Sequence, residues 1–494
     1  MSEAALATGG AEAAAARRPL LTEDWLAALL GLLVFAMALA GLTGPDLLGW
    51  VVTTSLWTDP AGALAPVNKA YAWLGGAGAL LATWAALLVV LGAGVAALGG
   101  HAGRFALAFT LVFALAYGAW FLGSNAHVAA VTPAEFARFG IGWSLRLTNE
   151  GGFILALAAG LVIANVFPRL AAWLQEAIRP ELFIKIAIVI LGGFLAVTVA
   201  GRLNFASAIL LRGVAAIIEA YLIYWAVVYY VARRWFGFTR EYAVPLASGI
   251  SICGVAAAIA TGGAIRARPM VPVLVSSLVV VFAVVEVLIL PFLAQAFLSH
   301  EPLVAAAWMG LAVKTDGAAV AAGGITEALL LARNAAEGVR YEPGWILGTT
   351  AAVKIFIDVF IGVWAFILAY IWTNHINKVP GERARPIEIW QRFPKFILGF
   401  LLTFAIGLAL AFGLDPALKP RLAASIAEAN TFRVLFFILT FFSIGVLSDF
   451  RKLWAAGIGR LAAVYVVCLF GFVIWVGLLI SWLFFGGVTP PLAA

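Results

Sequence analysis

The sequence predicts an all-α polytopic membrane protein of about thirteen transmembrane helices. Three observations lead there. Of 494 residues, 64% are hydrophobic and 11% charged, against roughly 45–50% and about 25% in globular chains, so water is not the main solvent. Apolar runs long enough to cross the ~30 Å hydrocarbon layer recur from Asp24 to Phe485. Finally, a few ionisable residues stand isolated inside those runs, where each is costly and therefore points to function.

Taken in order, the runs place helices at 24–43, 76–98, 103–123, 151–167, 182–200, 207–232, 243–265, 271–297, 303–330, 345–373, 394–413, 431–449 and 458–486. Residues 1–23 form an N-terminal tail. Arg17, Arg18 and the later Ala38-Leu39-Ala40 have the texture of a secretory signal, but Glu23 and Asp24 directly precede the apolar run, so an uncleaved first helix is expected. The segment 44–75 holds Trp50, Trp57, Tyr71 and Trp73 among Pro and Gly and reads as an interfacial loop or half-helix. With the N-terminus cytoplasmic, basic residues are in modest excess on that side, in 231–242, 374–395 and 450–460. The net charge of +7 is spread over short loops rather than gathered on one face, so no nucleic-acid partner is expected.

Cys253 and Cys468 both lie in apolar runs, so neither a disulfide framework nor a metal site is expected. All four histidines, at 101, 127, 300 and 375, fall in predicted loops, which removes the usual general base from the membrane interior and argues against an intramembrane hydrolase. No GxxxxGK[ST] stretch is present, which argues against ATP-driven pumping by this chain.

The chain resembles itself. GGFILALAAGLVIANV (151–166) has the texture of PKFILGFLLTFAIGLAL (394–410), and IKIAIVILGGFLAVTV (184–199) that of RVLFFILTFFSIGVLSDF (433–450), with a third long helix after each pair. By helix count the two triplets enter the membrane from opposite sides, the pattern of an inverted-repeat transporter core. The domains are then a three-helix extension, 24–145, and a ten-helix core, 146–494, with halves near 151–297 and 303–486. One difficulty stands: the two Gly-rich members, near 243–265 and 303–330, have the same parity in this count. Either one is a re-entrant hairpin or a boundary is wrong.

Those Gly-rich stretches carry the candidate chemistry. SGISICGVAAAIATGGA (248–264) offers Ser248, Ser251, Cys253 and Gly254 in a segment suited either to a helix broken at mid-membrane or to close small-residue packing. LAVKTDGAAVAAGG (311–324) places Lys314, Thr315, Asp316 and Gly317 together; on an unbroken helix Lys314 and Asp316 point about 200° apart and do not pair. Lys354 and Asp358, at i and i+4, share a face and read as a mutual ion pair, or with Lys354 facing the same cavity as Lys314. Glu219 and Glu286 lie deep and are candidates for ion coupling, whereas Lys185 and Arg212 sit near helix ends and are expected to snorkel.

IAIVILGGFL (186–195), SGISICGVAAAIA (248–260), WMGLAVKTDGAAVAAGG (308–324), TTAAVKIFIDV (349–359) and ILTFFSIGVLSDFRKL (438–453) together resemble the YeiH-type sulfate exporter family of conserved hypothetical bacterial inner-membrane transporters, over about Gly152 to Phe485. The resemblance implies an inverted-repeat fold with discontinuous helices, similar to bile-acid and sodium/proton transporters. It also implies a multi-pass location in the bacterial inner membrane. Two departures stand out. Thr315-Asp316 replaces a His-Glu pair typical of the family, with Lys314 added before it, and Ile357 replaces an arginine beyond the matching Lys354.

The expected function is secondary transport of a small anion, sulfate-like in the family's sense, by alternating access. Ser248, Ser251, Cys253, Gly254, Lys314, Thr315, Gly317 and Lys354 would hold the anion; Asp316, Asp358, Glu286 and Glu219 would couple it to H⁺ or Na⁺. No cofactor beyond that coupling ion is expected, and the partners are the lipid bilayer, the anion and, as an open alternative, further copies of the chain. A cation/proton antiporter using Asp316 is the second reading. A membrane enzyme with Ser251 or Cys253 as nucleophile is the third, and without an interior histidine it would need Lys314 as base.

Overall fold

A computed structural model describes residues 21–130, 133–145, 147, 151–200, 203–268, 270–376, 387, 390, 394–451 and 459–493. The N-terminal tail and most of the basic segments 374–395 and 450–460 lie outside the described residues. The fold is helical throughout, apart from one small β-hairpin, β1 (Val52–Thr54) paired antiparallel with β2 (Leu64–Pro66). That hairpin, followed by a 3₁₀ turn (Lys69–Leu74), lies within the segment 44–75 read from sequence as an interfacial loop or half-helix.

Three helices form the N-terminal extension: α1 (Glu23–Ala40), α2 (Gly75–Ala97) and α3 (Ala102–Gly123). Next come α4 (Gly151–Val166), bent by 116° into a short helix at Pro168–Leu174, and α5 (Pro180–Ala200). The sixth span runs from α6 (Leu203–Ile218) through a π-helical turn (Glu219–Tyr224) into α7 (Trp225–Arg234). After α8 (Arg240–Ser251) and α9 (Gly254–Ala264) comes the long α10 (Met270–Phe297), then α11 (Pro302–Ala312) and α12 (Asp316–Ala336). The chain closes with α13 (Trp345–Val359) and α14 (Ile361–Ile371), which ends in a second π turn (Trp372–Ile376), then α15 (Lys395–Gly413), α16 (Lys419–Leu447), and α17 (Gly459–Cys468), which passes through a third π turn (Leu469–Val473) into α18 (Ile474–Phe485). The helix expected to begin at residue 431 begins at Lys419.

Neither Gly-rich stretch crosses the membrane. If α8 and α9 continued one another, Pro245 and Gly262 would stand about 25 Å apart at 1.5 Å per residue. Instead Pro245 Cγ lies 3.5 Å from the Cβ position of Gly262, and Glu241 pairs with Arg268 at 2.9 Å. The two arms fold back on each other as a re-entrant hairpin, with both ends on one side. The same holds for α11 and α12. Thr350 Oγ1 donates to Ala306 O at 2.8 Å on the first arm, while the Cβ position of Gly323 on the second arm is 2.7 Å from Thr350 Cβ. Asn334 Nδ2 also donates to Ser299 O at 2.9 Å, closing the base of the hairpin.

Against the thirteen crossing helices expected, 10 helices among the described residues are long and apolar enough to cross a membrane, or up to 11 if α4 and its bent continuation count as one span, and the two Gly-rich stretches are hairpins. This also removes the parity difficulty. Because α10 crosses between them, the hairpins enter from opposite faces, and Gly254 N donates to Lys314 O at 2.5 Å where their tips meet.

Two groups of helices result. α4, α5, α15 and α16 form a panel in which α4 packs on α16 and α5 on α15 and α16, with α1 against its outside and α3 against α4. Close contacts are possible because glycines face backbone: the Cβ position of Gly160 is 2.3 Å from Phe442 O, and that of Gly445 is 2.3 Å from Leu157 O. The first helix of each internal copy thus packs on the second helix of the other. The second group holds the hairpins with α6, α7, α10, α13, α14, α17 and α18. The ends near Asp24, Arg179 and Lys395 share one side, since Lys395 N donates to Asp24 Oδ2 at 3.0 Å and Arg179 approaches Glu23 at 3.9 Å.

Two measurements check this architecture. In a background lacking Cys253 and Cys468, cysteines placed at Thr239 and Arg268 are expected to react with a membrane-impermeant maleimide from one face, and cysteines at Glu301 and Glu337 from the other; reaction of 239 and 268 from opposite faces rules the first hairpin out. Gly160→Val is expected to lower unfolding stability in detergent by about 1–3 kcal/mol, the usual cost of overpacking.

Candidate functional site

The tips of both hairpins sit at mid-membrane, where every backbone N–H and C=O needs a partner. Two non-helical residues, Ile252 and Cys253, separate α8 from α9, and Val313 to Thr315 separate α11 from α12. Their backbone groups are satisfied by charged and polar side chains. Lys354 Nζ donates to Ile252 O at 2.7 Å. Glu286 Oε2 accepts from Lys314 N at 3.0 Å, and Glu286 Oε1 from Tyr465 at 3.5 Å. Thr315 caps α12, its hydroxyl accepting from Ala318 N at 3.1 Å. Gly254 is required at the crossing: a Cβ there would stand 2.0 Å from Val279 Cγ1 and 3.2 Å from Lys314 O.

Lys314 and Asp316 part company across a break rather than on the unbroken helix considered from sequence: Lys314 lies between α11 and α12, and Asp316 opens α12. The Lys314 ammonium donates to Leu311 O within its own arm and lies 4.5 Å from the Tyr224 ring centroid, an arrangement in which the ring face stabilises the cation. Asp316 points the other way: its Oδ1 accepts from Cys253 Sγ at 2.8 Å and lies 3.8 Å from Lys354 Nζ. Lys314 and Lys354 therefore serve different clusters. The ion pair of Lys354 is with Asp316 on the facing hairpin, not with Asp358 one turn along its own helix. Asp358 belongs to the same cluster, one of its carboxyl oxygens lying within 4.8 Å of Cys253 Sγ and an Asp316 oxygen.

Other expectations are placed as follows. Ser248 Oγ accepts from Trp225 Nε1 at 3.0 Å, so its hydroxyl serves packing of the first hairpin arm. Ser251 Oγ and both carboxyl oxygens of Glu219 are buried with no hydrogen-bond partner among the described residues. Glu219 opens the π turn that ends at Tyr224, under Lys314. Lys185 bridges Asp24 at 2.8 Å and Glu181 at 3.5 Å, both in the first turns of their helices. Arg212 is half-buried, with Nη1 unpartnered.

Glu181 is the residue that sequence reading missed. It lines both a vestibule of about 420 Å³, shared with Glu23, Arg179, Val255 and Ser276, and a smaller cavity of about 20 Å³ bounded by Thr315, Gly317 and Thr440. Pro180 and Val280 also line both. The larger space opens beside the N-terminal end of α1; the smaller has room for about one water and reaches the second hairpin tip. The only sequence signal for Glu181 was its place in the first turn of α5, beside Pro180.

A double-mutant cycle checks the ion pair. Lys354→Met is expected to cost about 3–5 kcal/mol of unfolding stability by stranding a buried carboxylate, and adding Asp316→Asn is expected to recover part of that loss.

The family model described as conserved hypothetical protein 698 matches residues 108–464, in line with the resemblance that the motifs carry. A UPF0324 membrane protein of Nitrosomonas europaea is 40% identical over 479 residues, covering 95% of this chain and 97% of that relative. An uncharacterized protein of Archaeoglobus fulgidus is 48% identical over 185 residues, 33% of this chain and 97% of its own length. A UPF0324 membrane protein of Rhodopirellula baltica is 29% identical over 382 residues, 75% of this chain and 61% of that relative. No solved structure matches.

Proposed function

The chain belongs to the conserved hypothetical protein 698 family of membrane proteins, and on that premise we propose that it is a secondary active transporter of a small anion, working by alternating access and driven by H⁺ or Na⁺. The observation that carries the reading is the pair of opposed hairpins meeting at mid-membrane beside a cavity that opens to one side. Half-buried helix ends at such a depth exist to handle polar cargo, because elsewhere in the bilayer they are a liability.

The anion subsite is the N-terminal end of α12. There the backbone N–H groups of the first turn carry partial positive charge, and Thr315, Gly317 and Thr440 line the small cavity that the vestibule reaches. Lys354 and Lys314 hold the tips behind it. Coupling falls to the carboxyl groups. Asp316, Asp358, Glu286 and Glu219 are all buried at or near the crossing with two ammonium groups, Lys314 and Lys354. A surplus of buried negative charge is costly in hydrocarbon, so protons or cations load those carboxyls, and their charge offsets that of the anion as it crosses. Movement of the hairpin group against the panel, across the few contacts of α10 with α16 and α12 with α5, exchanges access between faces. The modest excess of basic residues in the loops 231–242, 374–395 and 450–460 supports a cytoplasmic N-terminus in a bacterial inner membrane.

One observation favours the second reading, cation/proton exchange at Asp316: acidic Glu23 and Glu181 line the vestibule beside a single cation, Arg179. Proteoliposomes separate the two. Wild-type protein is expected to move sulfate or another small anion when a proton or Na⁺ gradient is imposed, and Asp316→Asn to uncouple that flux without abolishing it. Failure of every inorganic and small organic anion to move under either gradient overturns the anion reading, whereas complete loss of a cation flux in Asp316→Asn selects the exchanger.

A further inference from the structure

We propose that the crossing of the hairpin tips is a binding site for a thiophilic divalent cation of the zinc or cadmium type, held by Cys253, Asp316 and Asp358. One ligand atom from each of the three, a sulfur and two carboxyl oxygens, lie within 4.8 Å of one another, and all three residues are buried. The spacing of 253, 316 and 358 in the chain gives no metal motif, because each ligand comes from a different segment: the first hairpin tip, the second hairpin tip and α13.

Two further observations point into the cluster. Asp358 is 1% exposed, and its Oδ1 has no hydrogen-bond partner among the described residues. A buried carboxyl oxygen left unpaired is costly, and a metal ion satisfies it. The second observation is electrostatic. Ile252 O, at the C-terminal end of α8 where the helix carries partial negative charge, faces the same place and accepts from Lys354 Nζ at 2.7 Å. The ammonium, 3.8 Å from Asp316 Oδ1, is a tethered cation at the edge of a cluster of groups that favour positive charge.

The charges close. A divalent ion, one thiolate, two carboxylates and the Lys354 ammonium sum to zero, the only balance that hydrocarbon tolerates cheaply. The thiol proton, which Cys253 Sγ now donates to Asp316 Oδ1 at 2.8 Å, leaves to water; the S–H electron pair stays on sulfur and forms the metal–sulfur bond. Metal–sulfur and metal–oxygen distances of about 2.3 and 2.0–2.2 Å put tetrahedral ligand atoms about 3.5 Å apart, so Cys253 Sγ and Asp316 Oδ1, now 2.8 Å apart, part as the thiol proton leaves, an adjustment within reach of tip residues at the ends of the hairpin arms. Thiolate in the set selects zinc or cadmium over Na⁺, Mg²⁺ or Ca²⁺, which take oxygen ligands. Because the ligands come from both tips, a bound metal pins the hairpins to each other. The proposal does not depend on the transport reading.

The test is a cadmium titration of the purified full-length protein, read by the ultraviolet cadmium–thiolate charge-transfer band and by thermal unfolding. A saturable band is expected in the wild type and in Cys468→Ser, with a raised unfolding temperature by mass action. Cys253→Ser is expected to lack the band, and Asp358→Asn to weaken binding by at least about tenfold, loss of a direct ligand being no milder than loss of an outer-shell partner. Absence of the band in wild type, a band that disappears with Cys468 instead, or saturating cadmium that leaves the unfolding temperature unchanged each overturns the proposal. The Cys468→Ser comparison decides the case even if Cys253→Ser does not fold.

Discussion

The hydrogen bond from Gly254 N to Lys314 O joins two chain segments that enter from opposite faces and never leave by the other. Two non-helical turns at the centre of a bilayer are tolerable only if each exposed backbone group is satisfied. Here one tip supplies the other, and side chains supply the remainder: Lys354 to Ile252 O, Glu286 to Lys314 N, Thr315 to Ala318 N. Much of the intramembrane charge is therefore explained first by backbone chemistry. Removing Gly254's freedom of approach would separate the tips and expose those groups together.

The surrounding spans are adapted to the same end. Two spans that pack against the hairpin arms contain a π turn, Glu219–Tyr224 and Leu469–Val473, and a further π turn, Trp372–Ile376, ends α14. A π turn displaces carbonyls from the regular ladder, and Val473 O and Ile474 O, at the end of the Leu469–Val473 turn, are taken by Tyr224 at 3.0 Å and Trp308 at 2.9 Å. Trp308 lies on the first arm of the second hairpin, and Tyr224 also underlies Lys314. The spans thus hold one hairpin arm and one lysine in register through hydrogen bonds that a regular helix would not offer. Tyr221 adds a third such link, donating to Ile357 O at 2.6 Å.

The division into a panel and a hairpin group gives the charges their separate tasks. Asp316 binds the second hairpin to Lys354 on α13, and Lys354 reaches on to Ile252 O at the first tip, while Lys314 and Glu286 tie the second tip to α10. The vestibule lies between panel and hairpin group, so any relative shift of the two changes the access of Thr315 and Gly317 to water. The N-terminal extension packs on the panel, α1 on α5, α15 and α16. The full-length match to the Nitrosomonas relative covers this region too, so the three-helix extension is shared with that relative.

The sequence by itself determined the membrane class, the positions of nearly all helices and the short catalogue of buried ionisable residues. Length and hydropathy are local properties, and a charge in hydrocarbon is visible wherever it stands. It also located the tips, because Gly, Ser and Lys-Thr-Asp interrupt helix propensity locally, and it raised the hairpin as one answer to a parity conflict. Only the tertiary structure decided that both Gly-rich stretches turn back, since turning back and breaking straight use the same residues and differ only in contacts such as Pro245 with Gly262. The partners of the charges were likewise out of reach. The i, i+4 spacing of Lys354 and Asp358 suggested a local pair, but Asp316, 38 residues from Lys354 along the chain, approaches it from the tip of the hairpin that α13 packs against. Helix periodicity describes one helix at a time, whereas the site is made where three segments cross.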